Sequence, residues 1–369
     1  MKKLVLTAGS RESTYLLAPL FDALEKSGHY SPSAVFVAGK GAEPVNPELT
    51  SCFGIGNSCR VVERPEGSSV VQLAETMKEM EKIFVSERPA LVLACGSDDA
   101  ALAAALAGSR LGLPVAAVDA GLRSYERSDA GEVNRMLIDA IAELHFVSEH
   151  SGEYNLINEG IPDEKVFFAG SLLIDSLAAL MQRSRQQGTA NARTLQPKKY
   201  AMVLLDPSGR STGKDHAGMM SGLLKDMSAK ITVLLPLEAG HRELLRTQGV
   251  YESLAGIEEL MMIDRPGPGE LLTLLRDSVL LFTDIEELQA ESTVMSVPCL
   301  TMMDTSSRPS TIEIGTNVLV GCDAEDILDR IGEILHSAAH GHHASRSKIP
   351  EKWDGAAASR IVEVLDRVL

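Results

Sequence analysis

Along the chain, short unbroken apolar runs bounded by glycine or proline alternate with longer segments in which apolar residues return at every third or fourth position. A short continuous run is what a strand buried on both faces leaves in a sequence, and the three-to-four spacing is the trace of a helix lying on that sheet. Residues 3–7 read as a buried strand, residues 8–11 as a turn, and residues 13–26 as a helix that gathers Leu16, Leu17, Leu20, Phe21 and Leu24 on one face. Further strands are expected at 34–38, 90–95, 115–118, 142–147 and 166–169, with helices at 70–85 and 98–111. The stretch 183–199, RSRQQGTANARTLQPKK, is polar and without period, which makes it the candidate linker. Beyond it the pattern restarts, with strands expected at 201–205, 231–235, 260–263, 279–283 and 299–302 and a closing helix at 356–369. Alternation of this kind predicts an α/β chain of two doubly wound domains built on parallel sheets. The expected boundaries are 1–175 for the first domain, with the closing helix packed back on it, and 176–355 for the second.

A length of 369 residues suits two domains of roughly 100 to 200 residues each. Hydrophobic residues make up 44% and aromatic ones 4%, so the cores must be built from Leu, Val, Ile, Ala and Met rather than from rings. Lys and Arg number 35 against 51 Asp and Glu, a formal net charge of −16, which argues against a nucleic-acid partner held by charge. No apolar stretch reaches the roughly 18 residues of a membrane-crossing helix, and the apolar run after Lys3 is too short for a secretory signal. No membrane association is expected, and the location is expected to be cytoplasmic. Five scattered cysteines without a C-x-x-C pair point neither to a disulfide framework nor to a structural zinc site. The histidines between 336 and 343 lack an accompanying Cys or carboxylate set and read as an exposed loop, so neither a metal nor a cofactor is expected.

In an open α/β sheet, ligands sit beyond the carboxyl ends of the strands. The residues just after each expected strand therefore carry the candidate chemistry. They are Gly9-Ser10-Arg11, Gly96-Ser97-Asp98-Asp99 and 119–123 in the first half, then 206–210, Pro236-Leu237-Glu238 and 283–287 in the second. Gly9-Ser10-Arg11 puts a tight turn, a hydroxyl and a guanidinium at a helix start, where an anion could be held. A capped helix with a surface arginine explains it nearly as well. Asp119 and Arg123 flank Gly121, whose freedom to turn could aim both charges at one cleft, and a structural ion pair is an even alternative.

In order along the chain, GSREST..LAPL (9–20), LPVAAVDAGLRS (113–124), EVNRMLID (132–139), FAGSLLIDSL (168–177), LFTDIEELQAES (281–292), VPCLTMMDTSSRPST (297–311), GTNVLVG (315–321) and DGAAASRI (354–361) resemble the non-hydrolysing UDP-N-acetylglucosamine 2-epimerase family. The resemblance spans nearly the whole chain. It implies a Rossmann-like two-domain fold of the GT-B type, a UDP-sugar in the interdomain cleft, a homodimer, and a place in nucleotide-sugar and surface-glycan metabolism. It also implies a reaction in which the C2 proton is removed, UDP leaves anti, and both return to give the manno epimer. Such chemistry needs a placed base and cationic or N–H donors on the diphosphate.

Carried over position by position, the resemblance keeps Arg11 of the opening motif, but the lysine one turn later is Leu16. The family's HGDT reads Cys95-Gly96-Ser97-Asp98, so the aspartate position holds Ser97 and the nearest carboxylate is Asp98. The glutamate before A-G-L-R is Asp119, one methylene shorter. Glu132, Asn134 and Arg135 persist beside Gly131, which replaces the first glutamate of E-E-A-N-R. In the second half the histidine position is Pro207, P-V-H has become Pro236-Leu237-Glu238, and the diphosphate loop S-G-G-I-Q-E-E spans 285–291. There Glu286 and Glu287 replace both glycines, while Glu291 is retained as a ligand-binding position. An unpaired carboxylate ~4 Å from a phosphate charge would cost about 4 kcal/mol at an effective dielectric of 20. Two functions stay open. One is a UDP-sugar epimerase, an isomerase using Asp98, Asp119 and Glu132 as acid and base, with Arg11, Arg123, Arg135, Glu291 and Arg308 on the ligand. The other is a member that has lost epimerisation and serves as a binding or partner subunit, or acts on a changed ligand.

Overall fold

The computed structural model of the chain describes residues 1–39, 46–55, 59–187, 195–206, 214–340 and 348–369. Two compact units separate within it: Met1–Leu180 together with Glu351–Leu369, and Met181–Pro350. In the first, β1 (Lys2–Ala8), β2 (Tyr30–Ala38), β3 (Cys59–Glu63), β4 (Leu91–Cys95), β5 (Val115–Val118), β6 (Leu144–Val147) and β7 (Val166–Phe168) form one parallel sheet in the order β3-β2-β1-β4-β5-β6-β7. Every residue of β4 and β5 is buried, as the unbroken apolar runs require of strands covered on both faces. Helix Asp99–Arg110 lies against this sheet through small side chains, Ala100, Ala101, Ala103, Ala104, Ala105 and Gly108, all buried. Their size permits a close approach, and at Gly9 a Cβ would come within 2.7 Å of the Ala100 Cβ.

The second unit repeats the plan. Strands β8 (Tyr200–Leu204), β9 (Thr232–Leu237), β10 (Leu260–Asp264), β11 (Leu280–Thr283), β12 (Cys299–Thr301) and β13 (Asn317–Leu319) run parallel in the order β10-β9-β8-β11-β12-β13. In both sheets the chain winds outward from its first strand in one direction and then reverses. The switch points therefore lie between β1 and β4 and between β8 and β11, and the loops beyond those carboxyl ends are where a doubly wound sheet receives ligands.

Three details differ from the sequence expectation. Strands β3 and β13 were not expected; both are sheet edges, and β3 buries only Val62, so neither leaves an apolar run to read. Strand β2 begins at Tyr30, ahead of its apolar stretch, through the polar text Ser31-Pro32-Ser33. Helix Leu172–Gln187 runs into the expected linker, and the units part at Leu180 within that helix. Residues 188–194 of the linker, Pro207 and the histidine tract from 341 lie outside the described residues. Among the described residues no helix is long and apolar enough to cross a membrane, and no group of three or more His, Cys, Asp or Glu could hold a metal ion.

The carboxyl-terminal helix Ala357–Val368 belongs to the first unit, where it packs against helix Arg11–Ser27 and buries Ile361 and Leu365. Its first turn exposes N–H donors that Ala356 has no side chain to cap. Asp175 takes that role from a distance, accepting from the Ala357 N–H at 3.1 Å and the Ala358 N–H at 2.8 Å. The Trp353 indole N–H fixes the preceding loop by donating to the Ser148 carbonyl at 2.9 Å.

Burial pushes the Asp175 carboxyl up to about 6, against the pull of the two N–H donors. A carboxyl whose folded pKa exceeds its unfolded value stabilises the fold only while protonated. That contribution is complete below roughly pH 4 and is lost as pH rises through about 6. The wild-type melting temperature, measured against that of Asp175→Asn, is expected to fall between pH 4 and 6 by an amount equivalent to about 2 to 3 kcal/mol. A difference that stays flat across this window would show that the carboxyl is not displaced upward.

Candidate functional site

At the first switch point the loop after β1 and the loop after β4 are joined by one carboxylate. Ser10 caps helix Arg11–Ser27 in a reciprocal box with Ser13: the Ser13 N–H donates to the Ser10 hydroxyl at 3.1 Å, and the Ser10 N–H to the Ser13 hydroxyl at 3.0 Å. Asp98 Oδ2 accepts from the Gly9 N–H at 2.9 Å and from the Ser13 hydroxyl, while Oδ1 caps helix Asp99–Arg110 through the Ala101 N–H at 2.9 Å. Asp98 thus braces two loops and starts a helix. Arg11 sets its guanidinium 4.8 Å from the Tyr15 ring centre. Arg64, at the exposed end of β3, donates to the Gly9 carbonyl at 2.9 Å; no motif in the sequence marked it.

The loop after β5 is held by buried charge. Asp119 takes a left-handed backbone with φ 65°, and Gly121 follows with φ 77°. A Cβ on Gly121 would lie 2.3 Å from the Gly152 carbonyl oxygen, so only glycine fits between these backbones. Arg123, a candidate for the ligand, is paired within the protein. Its Nε and Nη2 donate to the two Glu159 oxygens at 2.8 and 2.7 Å, and its Nη1 meets Asp139 Oδ2 at 2.7 Å and the Leu122 carbonyl at 2.8 Å. The side chain is fully buried. Burial opposes its charge, but the Glu159 hydrogen bonds and the Asp139 carboxylate outweigh that and raise its pKa further. Asp139 also accepts from the Gly121 N–H at 3.0 Å, so the pair it forms with Arg123 sets the turn itself.

Glu132 is likewise buried and committed. Its Oε2 accepts from the Ser124 N–H at 2.9 Å, the Ser124 hydroxyl at 3.2 Å and Arg135 Nη1 at 3.0 Å, and its Oε1 accepts from the Tyr125 N–H at 3.0 Å. Arg135 therefore sits on Glu132. Asn134, from the same helix Ala130–Ile141, donates to the Ser97 carbonyl and to Asp99 Oδ1, both at 3.0 Å, and so ties that helix to the loop after β4. The retained text EVNR is in this way the fastening between two loops of the carboxyl edge.

In the second unit the loop after β11 reaches both ways. The buried Thr283 hydroxyl accepts from the Ile285 N–H at 3.0 Å, which shapes the turn. Asp284 Oδ1 accepts from the Asp206 N–H, just past β8, at 2.8 Å. Glu286 Oε1 accepts from the Ser307 N–H and, at 3.3 Å, from the Ser306 hydroxyl, both past β12. Glu291 and Arg308 are buried. Around them Gln289 Oε1 accepts from the Ser306 hydroxyl at 2.6 Å and from the Thr311 hydroxyl at 3.3 Å, and Asn317 accepts from the Thr301 hydroxyl. These hydrogen bonds account for much of the text SSRPST and GTN as a polar lattice that seats the last strands. A recess of about 610 Å³, open solvent included, is lined by Leu224, Leu235, Leu244 and Leu254 with Asp206 and His241; burial holds His241 below the usual imidazole range, offset in part by Glu238 and Asp206.

Residues 41–366 match the family described as UDP-N-acetylglucosamine 2-epimerase. Among its relatives, the UDP-N-acetylglucosamine 2-epimerase of Methanococcus maripaludis is 29% identical over 74% of this chain and 76% of that protein. The enzyme of that name from Methanocaldococcus jannaschii is 26% identical over 98% of each chain. A crystal structure of the latter, in complex with UDP-GlcNAc and UDP, superposes with a TM-score of 0.86 at 23% identity over 99% of each chain. That likeness establishes the fold, two Rossmann-like units of the GT-B type. With the family model matched across most of the chain, the chain belongs to the UDP-N-acetylglucosamine 2-epimerase family.

Proposed function

We propose that this protein binds a UDP-sugar in nucleotide-sugar metabolism and that Asp98 and Glu132 do not serve it as acid and base. One observation carries the second half: both oxygens of each carboxylate hold loops and helix starts together. A general base must face the proton it removes within hydrogen-bond reach. These two face main-chain N–H groups instead. The ligand class is supported by family membership and by the names of the relatives. The reading is of a binding or partner subunit, homodimeric as the resemblance implies.

A second reading has its own support in Asp119. A non-glycine residue held at φ 65° just past a central strand is a strained position of the kind that clusters at working sites. On that reading Asp119 alone retains acid and base work on the sugar.

The two separate in solution. With UDP-N-acetylglucosamine in deuterated buffer, the first reading expects UDP to raise the melting temperature while the C2 proton of the sugar does not exchange. Exchange accompanied by manno product would establish the second. Arg123 gives an independent check, because removing one member of a buried ion pair strands the other. Arg123→Met is expected to cost about 3 to 5 kcal/mol in urea unfolding, with a lower midpoint, from the unpaired Asp139. A variant that unfolds like wild type but loses UDP binding would return Arg123 to the ligand.

A further inference from the structure

Main-chain N–H groups just beyond the carboxyl ends of strands beside a switch point are the donors with which a doubly wound unit receives oxyanions. In the second unit one such donor, beside the switch point between β8 and β11, already has an anion, and so does a second donor six residues past the neighbouring strand β12. The Asp206 N–H, past β8, donates to Asp284 at 2.8 Å, and the Ser307 N–H, past β12, donates to Glu286. Both acceptors come from the one short segment between β11 and helix Glu287–Val294, Asp284 reaching the loop past β8 and Glu286 the loop past β12. The Ser306 hydroxyl lies 3.3 Å from Glu286 but is held closer by Gln289 Oε1, at 2.6 Å.

We propose that Asp284 and Glu286 are specificity-determining residues, internal anions that occupy the oxyanion donors of the second unit and keep its affinity for a diphosphate low. The inference rests on the UDP-sugar reading only for the identity of the natural ligand. Its physics is general. A tethered carboxylate competes at an effective concentration of order millimolar or more, which a free ligand must exceed. Its charge also repels phosphate at short range, with a strength that salt reduces. The two effects act together at Glu286, which takes the Ser307 main-chain N–H.

Glu287, on the first turn of helix Glu287–Val294, carries the same charge and is neither of the two acceptors, which makes it the internal control. Inorganic pyrophosphate and UDP are titrated calorimetrically into wild type, Glu286→Ala, Glu286→Gln and Glu287→Ala, with circular dichroism to confirm folding. Glu286→Ala is expected to bind pyrophosphate at least tenfold more tightly than wild type. Glu286→Gln, which keeps an acceptor for Ser307 but loses the charge, is expected to gain less, and it decides the question if the alanine variant does not fold. Glu287→Ala is expected to gain least. Unchanged or weaker pyrophosphate binding in the folded Glu286 variants overturns the proposal, as does an equal gain in Glu287→Ala, which would reduce it to net charge. If pyrophosphate tightens in the Glu286 variants while UDP binds neither them nor wild type, the internal anion stands and the UDP-sugar reading falls. If UDP binds wild type and pyrophosphate does not tighten in the Glu286 variants, the reading stands and the internal anion falls.

Discussion

Where a strand ends and its helix has not yet begun, a main-chain N–H has lost one ladder partner and not yet gained another, and it must find an acceptor. At both switch points of this protein that acceptor is a carboxylate from the loop across the reversal. Asp98 takes the Gly9 N–H at 2.9 Å, and Asp284 takes the Asp206 N–H at 2.8 Å. The device recurs at corresponding strands of two units that share a winding order. Much depends on it in the first unit, because Asp98 also starts helix Asp99–Arg110, whose alanine face sets how closely that helix lies on the sheet. A charged acceptor is favoured there twice over: charge-assisted hydrogen bonds contribute about 1.5 to 3 kcal/mol, and the positive end of the helix dipole stabilises the anion further.

The loop after β5 solves the same problem at higher stakes. Its backbone turns through three left-handed residues, Asp119, Gly121 and Tyr125, and local propensity alone would not hold the two that are not glycine there. Arg123 folds inward to Asp139 and Glu159, Asp139 captures the Gly121 N–H, and Glu132 gathers the N–H groups of Ser124 and Tyr125. Every charge in the set has an opposite charge or several donors, which is the condition for burying it. The set is consequently all-or-none, and it fixes where Asp119 stands, whether that residue meets a substrate or not.

The doubly wound plan was legible because the central strands are buried on both faces and write themselves as apolar runs. The edges β3 and β13 were not, since one solvated strand face with few buried residues leaves nothing periodic. The family resemblance was carried by AGLRS, EVNR, SSRPST and GTN, and the structure shows many of their polar groups hydrogen-bonded within the fold. What the sequence could not show was that commitment. Glu159 lies 36 residues beyond Arg123, just past the end of helix His150–Asn158, and nothing in the spacing says that the two meet. An ion pair had been the even alternative for Arg123, but with Asp119 as its partner; the partners are Asp139 and Glu159. Arg64 was passed over because a single charged residue at a strand end looks like any solvated surface group, and Asp284 was marked only as one of the positions after a strand, without a role.

The net charge of −16 takes on a different meaning once its members are placed. Asp98, Asp284 and Glu286 are not loose surface acids, since each answers a main-chain N–H that the fold would otherwise leave exposed at a ligand-receiving edge. A protein that binds oxyanions through such N–H groups must leave them open, and it loses the stabilisation an internal acceptor would contribute. Stability and function oppose each other at that point in a general way. In this chain the carboxylates resolve the conflict toward stability at both switch points. At these described N–H groups an anionic ligand has to displace an internal acceptor, so the lengths of the Asp and Glu side chains bear on its affinity, as does any positive charge.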